Sequence, residues 1–491
     1  MKRNNQIIIN RLAKNVAMFW VMLMLFAQCD DLLDSTSYGQ VSTQQFWRNG
    51  EDVVSAVNAI YEPLLQEEYF GHWERTFDIC SDDMWRAGDH GEDQAIEYFT
   101  YDADNPKLRP IWKWKYEMIS RANAVLINAP NVTMDQPTKD RSLGEAYFLR
   151  GFSYWRHYLI HGQVPILVEE DVIANNFNKP KATIEEMEAQ IESDFQKAAD
   201  LLPASYAGDA DNLGRVSQGT AYGFLAKFYL YTEQFPKAIE AGQHVTTNAA
   251  YALAPTFEEN FSVDAENNAE TLFAMQYKDG WTTDNTPQIY TTPRPWGGWD
   301  FREPIQDLVD EFEADDPRLG YTVFKVGDMV DLGGEEGVQE YTADLSQTGY
   351  HFKKFASWRT TGGLNAGQNA PILRASDVYL MVAEAKIRSG QSGDAEINAV
   401  RVRNGLDPVS NADMADIMHE RRVELAGENE RHQDLLRWDK ANLVDIVALY
   451  AADRGPLKPG RTFVRPKHYY FPIPQREIDL SNGVLIQNEN Y

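Results

Sequence analysis

The sequence predicts a mainly α-helical protein, a tetratricopeptide-like helix-turn-helix scaffold joined to an irregular, loop-rich half. Three observations carry that reading. Helix-start signatures are followed by apolar residues spaced three and four apart. A helix-turn-helix pattern with small residues at fixed offsets occurs twice. Between the two copies, from about Tyr251 to Asn369, Gly, Pro, Asp and Trp displace helical periodicity.

The chain opens with Lys2, Arg3, Arg11 and Lys14, an apolar run from Val16 to Ala27, and then Cys29 before Asp30 and Asp31. The run is too short for a membrane-spanning helix, which needs roughly 20 residues, and has the length and flanks of a signal-peptide core. A cysteine directly after it reads as a lipobox, although Phe26 and Gln28 stand where leucine and a small residue are usual. Residues 1–28 are therefore expected to be a lipoprotein signal and Cys29 the lipidated mature N-terminus. Lipidation of Cys29 leaves Cys80, the only other cysteine, as a lone buried thiol.

Helices follow in order. Ser42 to Gln45 (STQQ) and Thr183 to Glu186 (TIEE) are capping-box patterns. Behind the second, Ile184, Met187, Ile191, Phe195, Ala198 and Leu202 form one apolar stripe that ends at Pro203. Gly144 to His161 and Ser217 to Tyr231 are apolar on most faces, which predicts buried helices. The first repeat places Leu225, Ala226 and Tyr229 before Phe235, Ala238 and Ile239. The second places Ala383 before Ala395 and Ile397, with the same separation between the alanines. In the irregular segment, Thr271 to Tyr277 and Tyr350 to Phe355 are the expected short strands.

Composition excludes some functions. With 74 acidic against 46 basic residues the formal charge is −28, so nucleic acid is not an expected partner, because phosphate binding depends on Lys and Arg. Anionic lipid would repel the body, which leaves a lipid on Cys29 as the route to a membrane. His419-Glu420-Arg421-Arg422-Val423 begins like a zinc-protease motif but has Val423 where the second ligand belongs. Asp209 to Gly214 resembles an EF-hand opening, yet Leu213 lacks the needed oxygen and Thr220 stands at the bidentate acid position; only a weak calcium site of another kind is left open. No cofactor is expected. Acidic pairs such as Asp82–Asp83 do not form a glycosidase pair by adjacency, since neighbouring side chains point apart.

Several ordered stretches resemble the SusD/RagB family of outer-membrane nutrient-binding lipoproteins. They are CDDLLD from Cys29 with Phe46–Trp47, GEAYFLRGFSYWRHYLIHGQVP from Gly144, ILRASDVYLMVAEAKIRSG from Ile372, DAEINAVRVRNGL from Asp394, HERRVELAGENERHQDLLRWDK from His419, and YYFPIPQREIDLSNGVLIQNENY at the end. Departures occur at Gly427–Glu428, Ser481–Asn482–Gly483 and Asn490. The resemblance implies an N-terminal region over 29–240 and a C-terminal region over 241–491, packed as one domain. It also implies a non-enzymatic role at the cell outer membrane: capture of an oligosaccharide, or alternatively a peptide, for a SusC-like, TonB-dependent barrel. A surface glycoside hydrolase and a peptide-binding adaptor are the competing classes.

The charged residues of the His419–Lys440 stretch lie at offsets of three and four, which predicts pairing along a helix face. Pro472 and Pro474 fix an extended, docking backbone. Sugar binding needs flat aromatic faces and polar groups for hydroxyls. Two segments offer both, and in the family the ligand face draws on loops in these regions. Asp78 to Asp89 supplies Trp85 between Asp83 and Arg86. Lys278 to Trp299 supplies Trp281, Asn285, Tyr290, Trp296 and Trp299. The four tryptophans are the expected stacking platforms, with Asp83, Arg86 and Asn285 as hydroxyl partners.

Overall fold

The computed structural model describes residues 46–278, 286–333, 336–356 and 367–491. Ser42 to Gln45, Cys29, Trp281 and Asn285 lie outside them. Asn49–Tyr491 form one unit. Among the described residues ten helices have ten or more residues: α1 Gly50–Tyr61, α2 Leu108–Asn128, α3 Gln136–His161, α4 Ile184–Leu201, α5 Gln218–Tyr231, α6 Phe235–Thr246, α7 Ala375–Arg388, α8 Asp394–Arg403, α9 Met414–Glu424 and α10 Arg431–Lys440. Each from α2 to α8 packs on the next in sequence, the stacking expected of helical repeats. None of the described helices is long and apolar enough to cross a membrane.

Local chemistry explains the starts. Thr183 Oγ1 accepts from Glu186 N at 3.1 Å while Glu186 Oε2 accepts from Thr183 N at 2.8 Å, a reciprocal cap on α4. Met187, Ile191, Phe195 and Ala198 then face the core. Ser217 caps α5 in the same way. Helix α3 begins eight residues earlier than its apolar signal, because Asp135 accepts from Thr138 N at 2.9 Å and Pro137 is tolerated in a first turn. Much of the aromatic load is core: Phe148, Phe152, Phe195, Phe224 and Phe273 form one cluster of edge-to-face and tilted rings. Cys80 is buried, its thiol pushed up to about 12 by burial.

The two repeats differ in a way the spacing concealed. In α5–α6, Ala226 and Ala238 are both buried. In α7–α8, Ala383 is buried but Ala395 is exposed. The turn between α7 and α8 is two residues longer, so Ile397 takes the inner position and Gly393 makes the close approach. A Cβ on Gly393 would lie 2.7 Å from Ala383 O.

Helices α6 and α7 pack directly on each other although 128 residues separate their ends. The irregular segment is thus an excursion from the helical stack, and a strand pair closes its neck. Among the described residues the strands are β1 Met84–Trp85, β2 Thr271–Met275, β3 Glu303–Pro304, β4 Val323–Lys325, β5 Met329–Asp331, β6 Val338–Glu340, β7 Tyr350–Phe352 and β8 Ala370–Arg374. They pair antiparallel as β1–β3, β2–β8, β4–β7 and β5–β6. The pair β2–β8 is the neck. The expected strands at 271 and 350 are present; short helices at Thr286–Thr291, Gln306–Glu311 and Arg318–Thr322 interrupt the rest.

The charges of α9 and α10 mostly pair between elements rather than along one helix face. Arg421 bonds Asp377 on α7 at 2.7 Å and Asp434 on α10 at 2.8 Å. Glu424 bonds Arg318, Arg374 and Arg403 at 3.1, 2.9 and 2.6 Å. Arg422 and Arg431 reach Asp82, and Arg422 also holds Asp83 at 2.7 Å. Burial would raise the Asp377 carboxyl, but Lys227 and Arg421 outweigh it and hold it at about 2. Arg437–Asp434 is the pair that follows the helical offset.

Arg421→Met leaves Asp377 and Asp434 buried without their shared cation and is expected to cost roughly 3–5 kcal/mol in denaturant unfolding. Lys237→Ala breaks an exposed pair with Glu192 and an ammonium–ring contact with Tyr229 and should cost about 1 kcal/mol. The folded Asp377 carboxyl lies below its ordinary 3.8, so its contribution is complete above that value and is lost as pH falls through about 2. An acid titration of the denaturation midpoint should show the fall beginning below pH ~4.

Candidate functional site

The segment after the short helix Thr286–Thr291 folds back on that helix. Trp299 N donates to Ile289 O at 2.8 Å, Asp300 N to Thr292 O at 3.1 Å and Phe301 N to Tyr290 O at 2.9 Å. The return passes through Gly297, whose φ is +89°, and through Gly298, where a Cβ would collide with Thr292 O. Glycine is required at both positions. The result is a tight loop with Trp299 at its crest, 43% exposed.

Beneath Trp299 lies an aromatic base. Tyr290 meets its ring edge-to-face at 5.1 Å between centroids, and Phe301 packs at 5.9 Å. Phe301 carries the Arg86 guanidinium at 4.1 Å over its face and the edge of His90 at 5.0 Å. Strand β1 joins β3 with Trp85 opposite Glu303. The Trp85 segment is thereby joined to the chain just after Trp299, through β1–β3 and the contact of Arg86 with Phe301.

Not every expected ligand group faces outward. Trp299 is exposed and Trp85 half-buried. Trp296 is half-buried on a neighbouring cluster, edge-to-face with Phe324 and Tyr341, with Nε1 donating to Gln339 Oε1 at 3.1 Å. The cleft beside that cluster, lined by Phe261, Tyr321, Phe324 and Lys353, holds about 240 Å³. That is below the usual size of a small-molecule pocket, roughly 300–1,000 Å³. Trp281 and Asn285 lie outside the described residues.

Three expectations require correction. Asp83 is buried and ion-paired to Arg422. Burial raises its carboxyl, with Asp82 adding to the rise and Arg422 opposing it. Arg86 is buried and paired with Asp93 at 2.8 Å. Tyr290 is buried, stacks on His72 and donates its hydroxyl to Glu67; burial and then that bond push its phenol far up. Each is a support of the loop rather than a group offered to a ligand, because an unpaired buried charge or hydroxyl would be costly.

Sequence reasoning passed over Asp300, Glu303 and His351. Their donor atoms lie within 4.8 Å of one another. His351 Nε2 sits 2.7 Å from Asp300 Oδ1 and Nδ1 sits 2.5 Å from the Tyr341 hydroxyl. Glu303 Oε2 accepts from Ser346 Oγ, Gln347 N and Thr348 N at 2.8, 3.0 and 2.8 Å. Burial and then the Asp300 charge raise the Glu303 carboxyl. The adjacent WGGWDF string drew attention to its aromatics, and no local spacing tied Asp300 to a histidine 51 residues away.

The architecture has close counterparts. Residues 269–491 match the SusD family, and residues 31–230 match a family described as starch-binding, associating with the outer membrane. A SusD-like protein, P2, of Formosa agariphila is 25% identical over 96% of this chain and 99% of its own length. A solved SusD-like protein from Bacteroides fragilis superposes with a TM-score of 0.78 at 23% identity, covering 91% of this chain and 98% of that one. A laminarin-binding SusD-like protein superposes with a TM-score of 0.74 at 27% identity, covering 91% and 100%.

Trp299→Ala removes a ring that is 43% exposed and rests on Tyr290 and Phe301, and should cost about 1 kcal/mol. Tyr290→Ala opens the base beneath it and should cost roughly 3–5 kcal/mol. Denaturant titrations of the two variants check the division between crest and support.

Proposed function

The chain belongs to the SusD/RagB family, and from that premise we propose that it is a cell-surface lipoprotein that captures an oligosaccharide and passes it to a SusC-like, TonB-dependent barrel. The observation that carries the binding half is the crest itself: a large indole held out to solvent by a rigid, hydrogen-bonded loop over a buried aromatic base. A flat apolar ring fixed in this way can stack on a sugar ring with little ordering cost. The starch-binding description of the family matching the N-terminal half and the laminarin-binding relative support a glycan as the ligand class.

Hydrolysis is the weaker reading. Asp300 and Glu303 are the nearest acids to the crest in sequence, but Glu303 is wholly buried and three donors hold one of its oxygens. A glycosidase needs two carboxylates facing the sugar.

The expected anchor is a lipid on Cys29, which mass spectrometry of the mature protein would read directly. An unmodified Cys29 in the mature chain would sink the anchor. The barrel is expected to co-purify after gentle detergent extraction from the native host. Recovery of free monomer alone, with the barrel expressed, would overturn that half of the reading.

Isothermal titration against a panel of β- and α-glucans, other glycans and peptides identifies the ligand. Trp299→Ala is expected to weaken it about thirtyfold, the loss that follows from roughly 2 kcal/mol for a truncated aromatic hot spot. Trp85→Ala should also weaken binding, while Trp296→Ala should change it little. Unchanged affinity in Trp299→Ala would move the site elsewhere.

A further inference from the structure

We infer that Asp300, Glu303 and His351 form a binding site for a divalent transition-metal ion of the zinc type, set directly behind the exposed Trp299. The three residues come from the crest loop, from β3 and from β7, and each offers one donor atom within 4.8 Å of the others.

The strongest sign is Glu303. It is 0% exposed, yet only one of its carboxylate oxygens is served by the protein. Oε2 takes the hydroxyl of Ser346 and the amides of Gln347 and Thr348, whereas Oε1 is buried with no hydrogen-bond partner. A buried carboxylate oxygen is not left without a donor or a cation at no cost. Among the described residues no Lys or Arg forms an ion pair with Asp300 or Glu303; the partner of Asp300 is His351, which carries a charge only if protonated. The contrast with the second acid–histidine group is instructive. In Glu313, His419 and Glu420 the carboxylates are already neutralised, since Arg401 pairs with both and Arg318 with Glu420.

The histidine is prepared for the role. Without an ion, Nε2–H donates to Asp300 Oδ1 at 2.7 Å and the Tyr341 hydroxyl donates to Nδ1 at 2.5 Å; with an ion bound, the other tautomer has Nδ1–H donating to Tyr341 and the Nε2 lone pair free for the metal. A metal-bound imidazole is normally oriented by such a bond from its other nitrogen. An ion entering here replaces the 2.7 Å contact between Nε2 and Asp300, which would open to roughly 3.3 Å across a tetrahedral metal with ligand distances near 2 Å. Asp300, with its side chain 15% exposed, provides the way in for an ion and for a water that would complete its coordination as the fourth ligand. One imidazole nitrogen with two carboxylates suits zinc or a neighbouring transition ion. Calcium prefers six to eight oxygens, more than this group supplies.

The test uses the whole mature protein and no sugar, so it stands or falls separately from the glycan reading. The metal-stripped protein is incubated with Zn²⁺, Mn²⁺ or Ca²⁺, desalted, and its metal measured by mass spectrometry beside Asp300→Asn. Asp300 is partly exposed, so its isosteric amide should fold, as circular dichroism would verify. The parent is expected to retain one zinc equivalent more than Asp300→Asn and to gain thermal midpoint with zinc that the variant does not. Tyr341→Phe should retain zinc with affinity lowered about 10–100-fold, the usual loss for a supporting ligand contact. Equal zinc content and equal thermal response in the parent and a folded Asp300→Asn would overturn the site. A parent that binds calcium there in preference to zinc would overturn the assigned ion class.

Discussion

The structure depends on the pairing of charges buried around α9. Arg421, Arg422 and Glu424 lie within four consecutive positions and reach α7, α10, β8, the Arg318 helix and the Asp82–Asp83 loop. Burial alone would drive Glu424 toward its neutral form, but Arg403, Arg374 and Arg318 hold it well below the usual carboxylate range. Because a buried charge tolerates no loss of its partner, each element in this web has one acceptable position. The helical stack, the excursion and the loop of Trp85 are located by the same few side chains.

That constraint explains how a loop-rich segment supports a definite surface. The excursion leaves and rejoins the stack through β2 and β8, whose closing residue Arg374 also bonds Glu270, Glu424 and Glu428. Within it, the crest loop is held by main-chain bonds to the short helix below and by β1–β3 to the Asp82–Asp83 loop, which Arg422 and Arg431 clamp. Rigid support beneath one exposed ring is the arrangement expected of a binding platform, since ordering costs are met on folding rather than on ligand capture.

Much of the scaffold was legible locally. The Thr183–Glu186 cap, the stripe behind it, the first helix pair and the strands at 271 and 350 involve residues within one or two turns or one pleat of each other, where period and capping chemistry suffice. The alanine spacing points Ala395 inward, but a turn two residues longer shifts the facing register and leaves it exposed. Offsets of three and four permit the charges of α9 and α10 to pair along one helix face, yet most of their partners lie on other elements.

The sequence by itself determined the fold class, the order of helices, the irregular excursion and the two aromatic segments that converge on the crest. These follow from periodicity, capping and composition, which act between near neighbours. Only the tertiary structure decided which of those residues face outward. It placed Trp299 in solvent, sank Asp83, Arg86 and Tyr290 beneath the surface, and gathered Asp300, Glu303 and His351 behind the crest. The physical reason is that burial and charge pairing are settled between residues tens to hundreds of positions apart, such as Asp83 with Arg422, and no local pattern encodes such a meeting.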